Sequence, residues 1–358
     1  MFDEDDRQAA KDSYPNIFPA LDHPELREFF AAHDVRANGM KRNSRRWGFR
    51  AVALVSLALI GASMTHFLGQ PWQRVVAGVS AVAGILGAGL GVFGVMFAAS
   101  KDEWLQHRFV TERLRQMHFQ WLLAHIADIA EAAERKDWTA LIAARAAALG
   151  QFKQQVAGCL STLFDDAIEL PPDESPRTGY AMDPAFIRKT TTKLPATDHV
   201  TELLDAYVAI RVMGQWRYAS HRLKLRERSF ISTFPREQAR TLTALGIGAI
   251  TLLVVLHIAA AIGVFFKSAV LWMPYADLLA MWLAIGALAL RTVEEGLQPR
   301  REIERYRAYR AGIANIRQRL EPAKTPARRR EIMIELEELA WDEMVNFLKS
   351  NQEARFVM

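Results

Sequence analysis

Three glycines in Gly89-Leu-Gly91-Val-Phe-Gly94 repeat the spacing that cradles a dinucleotide's phosphates when a strand leads in and a helix leads out. Here they lie inside the 25-residue apolar run Val75–Ala99, with no βαβ unit around them. Helix packing fits better. Ala83, Gly87 and Gly91 recur at four-residue steps as a small-xxx-small face on which two backbones can approach, and the same residues would suit a pore-lining helix. His257 and Asp277 fall within apolar runs, where an ionisable side chain is a candidate for an ion path. Asp277 also follows Pro274 by three residues, and a helix start with an acid in its first turn is the plainer reading. His118 and His125 share a helical face but stand about 10 Å apart, too far to hold one zinc. Cys159 is the only cysteine, which excludes an intrachain disulfide scaffold and leaves a buried structural thiol as the expectation. No nucleophile elbow, P-loop or zinc-protease motif occurs in the sequence. The chain is therefore expected to be non-enzymatic, with no catalytic residues, metal or cofactor.

The elements that must carry these residues are apolar helices. Val52–Leu68, Val75–Ala99, Leu242–Phe266 and Val270–Leu290 are 17, 25, 25 and 21 residues long and almost free of charge. At 1.5 Å per residue they reach roughly 25 to 37 Å, enough for a hydrocarbon core of about 30 Å. A wholly soluble enzyme is excluded by that pattern. The fold class expected is all-α: an integral membrane protein with two transmembrane helical hairpins and long cytoplasmic amphipathic, coiled-coil-like helices.

Charge sets the orientation. Lys and Arg near the four outer ends of the runs outnumber those in the two tight turns, Arg74 and Lys267, by 22 to 2. By the positive-inside rule both termini and the long central segment face the cytoplasm of a bacterial inner membrane. Trp47 and Trp104 fall at the inner interface and Trp72 and Trp272 at the outer one. The first run begins only near residue 51, so a cleavable leader is not expected. Lys41, Arg42, Arg45, Arg46 and Arg50 form a cluster suited to anionic lipid headgroups, with topology determination as the plainer role. Their closeness to the membrane argues against a nucleic-acid partner.

The layout repeats. An acidic tail (1–21) precedes a first unit (22–134) of basic helix, span, turn, span and cytoplasmic helix; after a helical segment and proline-rich linker (135–197), a second unit (198–349) follows the same plan, with a tail at 350–358. Asp198 is the expected N-cap of the helix carrying Leu203, Leu204, Tyr207 and Val208. Residues 300–349 read as an antiparallel helical hairpin broken at Glu321-Pro-Ala-Lys-Thr-Pro-Ala327. Its first arm is rich in arginine. Its second carries Glu331, Glu335, Glu337, Glu338, Asp342 and Glu343 around an apolar stripe that includes Leu336 and Phe347. Exposed ion pairs contribute up to about 1 kcal/mol each, so the stripe supplies stability and the charges select the partner arm.

The helix after the second run reads Trp104-x-x-x-Arg108-x-x-x-Glu112-x-x-Arg115, and the second half holds Arg301-Glu-Ile-Glu-Arg-Tyr306-Arg-Ala-Tyr309-Arg310 and an acidic helix ending near Phe356. With the basic juxtamembrane helix and short-looped hairpin, this pattern resembles the SLATT family of two-span modules from prokaryotic conflict systems. The chain departs from that family in having two hairpins, as a duplicated or fused form would. The resemblance implies a membrane effector that forms homo-oligomers, permeabilises the inner membrane and answers a cytoplasmic sensor or nucleotide-second-messenger partner. Membrane lipids are the other partner expected. A constitutive channel or small-solute transporter, and a membrane-anchored scaffold, are the alternatives; a transporter would need more intramembrane polar groups than the runs contain.

Overall fold

The computed structural model describes residues 4–92, 99–169, 194–224, 234–265 and 273–354, and among them it is helical with no strand. The helices are α1 (Glu4–Ser13), α2 (Phe18–Leu21), α3 (Pro24–Met64), α4 (Trp72–Gly91), α5 (Ala99–Ala124), α6 (Ile126–Arg135), α7 (Thr139–Glu169), α8 (Asp198–Tyr207), α9 (Met213–Arg222), α10 (Pro235–Phe265), α11 (Met273–Leu297), α12 (Pro299–Leu320) and α13 (Pro326–Glu353). Gly94, most of the proline-rich linker, Arg226, Arg228, Lys267, Trp272 and Phe356 lie outside the described residues.

Local signals explain the helix ends. Pro24, Pro299 and Pro326 each open a helix, where a missing N–H costs nothing and a fixed φ is already helical. α6 stops at Lys136, whose φ of 55° turns the chain left-handed while its N–H reaches the carbonyls of Ala132 and Ala133. Gln298, at φ 46°, makes the corresponding corner between α11 and α12. The expected cap at Asp198 moves by one residue. Thr197 is extended and its hydroxyl accepts from the Val200 N–H, leaving Asp198 in the first turn, where its charge meets the helix dipole.

Four helical stretches among the described residues are long and apolar enough to cross a membrane: Phe18–Phe67, Trp72–Gly91, Pro235–Gly263 and Pro274–Leu320. This is the profile of a membrane protein. α3 alone is 41 residues, about 60 Å, so one continuous helix includes both the polar start and the first apolar run.

Contacts group the chain into two compact units that cut across the sequential repeats. One gathers residues 1–38, 103–223 and 304–352; the other gathers 39–102, 224–303 and 353–358. The first has an interior of large apolar side chains, including Leu105, Phe109, Leu114, Leu122, Phe152, Leu203, Ile313 and Leu336, all nearly inaccessible. Within it α12 and α13 run antiparallel: Arg305 pairs with Glu343 and Arg319 with Glu335, and a Cβ at Gly312 would strike Leu339. The second unit contains the apolar helices. α4 lies against the C-terminal half of α3, and α10 packs on α11, with Leu242 near the start of one against Val293 and Leu297 at the end of the other.

Candidate functional site

In the second unit the α3–α4 contact is built from small residues. A Cβ at Gly87 would stand 2.8 Å from Val55 Cγ2 and 2.9 Å from the Val55 backbone nitrogen, so only glycine fits without moving a helix. A Cβ at Gly84 would meet Ala58 at 3.4 Å, one at Gly91 would meet Ala51 at 4.0 Å, and Ser80 fills the space beside Gly61. The facing row on α4 is thus Ser80, Gly84, Gly87 and Gly91. Steps of four, three and four keep a row on one face, whereas repeated steps of four drift around a 3.6-residue helix. Ala83 stands beside this row, half-buried. Beyond the end of the row, the Trp282 indole of α11 donates to Ser63 Oγ of α3 at 2.9 Å, and Phe67 lies 5.8 Å from Tyr275.

The structure does not bring His257 and Asp277 into a bond with each other. Both are exposed on their helices. His257 donates from Nδ1 to the Leu253 carbonyl at 2.8 Å, one turn back on α10. In the basic cluster, Arg42, Arg46 and Arg50 are exposed at four-residue steps on one face of α3, with the Arg50 guanidinium 4.8 Å from the Trp47 ring centre. Lys41 and Arg45 are half-buried beside them. A cleft of about 430 Å³ lies where α11 meets α12. Its charges are matched: Arg291 to Glu295 at 3.1 Å, Arg300 to Glu294 at 3.0 Å and Arg301 to Glu353 at 2.5 Å.

The first unit brings its sequence candidates together. Trp104 on α5 is buried edge-on against Phe347 of α13, with centroids 6.1 Å apart at 87°. Arg108 reaches Glu112 at 2.5 Å and Asp34 of α3 at 3.4 Å, and Arg115 bonds Glu112 at 2.6 Å. Burial by itself would raise the Glu112 carboxyl; Arg108, Arg115 and Arg211 outweigh it and hold the group at about 2. Burial pushes the Glu343 carboxyl up, and the neighbouring Glu112 adds to the rise, despite Arg305, Arg108 and Arg115. Leu336 is fully buried at the centre of the α13 stripe.

The strongest arrangement was not visible in the sequence patterns. Arg211, 2% exposed, grips the fully buried Glu337 through two bonds of 2.8 and 2.7 Å, and the Tyr207 hydroxyl donates to the same carboxylate at 2.6 Å. Tyr207 stacks edge-on against Phe119, whose ring also lies 4.9 Å from the Arg211 guanidinium. A π-helical turn at Val208–Val212 carries Arg211, the kind of local bulge that re-aims side chains from an otherwise regular helix. Nearby, Arg113 is 2% exposed, donates to Gln116 at 2.5 Å and stacks on Trp341 at 4.5 Å. Glu337 belongs to the acidic arm in the sequence, but it turns to Arg211 while Glu335 and Glu343 pair with Arg319 and Arg305 of the basic arm. Tyr207 at i and Arg211 at i+4 on the Leu203–Leu204 stripe were the available signal. Chemically this set is self-satisfied: donors and acceptors saturate each other, as in a lock that fixes register between helices.

No family model matches the chain, and neither does any curated protein or solved structure. Among the described residues no group of three or more His, Cys, Asp or Glu side chains is arranged to hold a metal ion.

Proposed function

We propose that the chain is a non-enzymatic integral membrane effector that oligomerises and permeabilises a bacterial inner membrane in a conflict or defence system. In this reading α3–α4 and α10–α11 are two transmembrane hairpins, and the first unit is cytoplasmic with both termini. The observation that carries it is α10: its most apolar stretch has the highest hydropathy of the four candidates, and none of that window is buried. Such a surface needs lipid or further copies of the chain to cover it. The charge bias of the sequence supports the orientation, and the resemblance to SLATT modules supports a cytoplasmic sensor or nucleotide-second-messenger partner.

The second reading is a membrane-anchored scaffold. The tight row around Gly87 favours it, because those glycines are already occupied by an intramolecular contact and are not left over for assembly. Dye and ion release from liposomes holding purified protein separates the two. Release that rises with oligomerisation supports the effector; tight vesicles with verified insertion and oligomers support the scaffold.

A further inference from the structure

Three polar side chains gather in the first unit without satisfying one another. His118 of α5 is 2% exposed and neither ring nitrogen has a partner. His23, directly before α3, is 6% exposed with Nδ1 unpartnered, and the two rings lie with centroids 6.4 Å apart. Arg145 of α7 is also 6% exposed. Its Nη1 donates to the carbonyls of Pro19 and Ala20 at 3.0 and 2.9 Å, while Nε has no acceptor.

The charge here is as unusual as the bonding. No carboxylate forms an ion pair with Arg145 among the described residues. Asp22 and Glu25 act on it only from a distance, and Asp22 is held by Arg7 at 3.1 Å and Arg27 at 2.9 Å. Lys153 adds positive potential at His23, and Arg211 adds it at His118. The N-terminus of α3 begins at the next residue, Pro24, with the positive end of its dipole. Water could satisfy the imidazole nitrogens, but it cannot neutralise a buried guanidinium, whose desolvation costs several kcal/mol. An anion meets both needs.

We propose that His23, Arg145 and His118 form a buried binding site for a small inorganic monoanion of chloride size. Arg145 Nε and one N–H of each neutral imidazole are the donors, and the ring spacing favours a single-atom ligand. The ion ties the start of α3 to α5 and α7.

The test is thermal unfolding of the full chain in detergent, with chloride replacing the bulky anion gluconate at fixed ionic strength. Stability should rise with chloride. Arg145→Gln should abolish that dependence, His118→Leu should weaken it, and Arg135→Gln, which removes an exposed arginine paired with Glu131, should leave it intact. Should Arg145→Gln fail to fold, the chloride NMR line of the wild-type solution carries the test: it should be broadened by the protein and narrow when bromide competes. Unfolding indifferent to the anion, an undiminished chloride dependence in both site variants, or a line that the protein does not broaden would each overturn the proposal.

Discussion

The two units solve the same packing problem with opposite materials. Around Arg211 the first unit brings two ionic groups, a phenol and aromatic faces into a nearly dry interior. Along α3–α4 the second unit removes side chains until backbones touch. On the membrane reading proposed above, the difference follows from solvent. Water around the first unit makes apolar burial favourable without specifying register, and a buried charge pair tolerates only one alignment. A helix in lipid gains little from burying another leucine, so close approach of small residues must supply the contact.

The largest expected effect comes from breaking the first of these devices by half. Glu337→Leu leaves the Arg211 guanidinium buried without its carboxylate and should cost about 3 to 5 kcal/mol, as should Arg211→Met in reverse. The double variant should recover most of the loss, since the Tyr207 hydroxyl still has the Met333 carbonyl at 3.3 Å. Denaturant melts of the four proteins form a double-mutant cycle. Additive losses would mean that the pair is not the lock described here.

Next in size is the second device. Gly87→Leu places a side chain where a Cβ is already 2.8 Å from Val55, and should force α4 off α3 at about 1 to 3 kcal/mol. Gly78→Leu, with nothing near its Cβ position, should be tolerated. Geometry can be read directly. The 4.0 Å between Ala51 Cβ and a Cβ at Gly91 suits a disulfide, so an Ala51→Cys, Gly91→Cys pair on a Cys159→Ser background should crosslink on oxidation. Adding Gly87→Leu should abolish the crosslink, and Gly78→Leu should not. Crosslinking that survives Gly87→Leu would show that the row does not set the approach.

The long elements were legible because periodicity and apolar run length depend only on local spacing. The apolar helices and the break between α12 and α13 stood in the sequence for that reason, the latter because two prolines end a helix wherever it packs. The small-residue row was legible at Gly87 and Gly91, which meet α3; Ala83 and Gly84 are adjacent, and only the partner helix decides which one faces it. Arg211 with Glu337 was hidden more deeply. The two residues are far apart in sequence, and Glu337 sits among acids of identical type, so nothing local separates the buried carboxylate from the exposed ones. His23, His118 and Arg145 failed the same way, since a buried histidine in sequence looks like any other.

Acid should distinguish the units by a smaller amount. Burial first, then Arg145 and Lys153, depress His23 from 6.5 to about 3, and burial with His107 and Arg36 depresses His33 to about 4. The unfolded chain then takes up protons that the fold refuses. The stability concerned is fully present above pH 6.5 and is lost as pH falls toward those values. His23 alone should cost about 2 kcal/mol between pH 7 and pH 5. Melts at the two values should show His23→Gln flattening the slope, while the α3–α4 row, which holds no titratable group, contributes nothing to it. A slope unchanged by His23→Gln would remove that residue from the account.

The smallest effect lies two residues from the largest. Glu335 and Glu337 share α13, but Glu335 meets Arg319 at the surface, with the two side chains 32% and 36% exposed. Water already solvates both groups, so removing the carboxylate leaves Arg319 hydrated rather than stranded, and Glu335→Gln should cost less than about 1 kcal/mol. Raised salt should shrink that cost further, because exposed charges are screened within roughly a Debye length of 10 Å at 0.1 M. Glu337→Gln keeps the same shape change but occurs in a site without water, so its cost should stay several-fold larger and respond little to salt. Melts of both variants at low and high salt make the comparison. Similar costs with similar salt responses would place Glu337 in contact with solvent and undo the distinction between a charge that chooses a neighbour and a charge that fixes a fold.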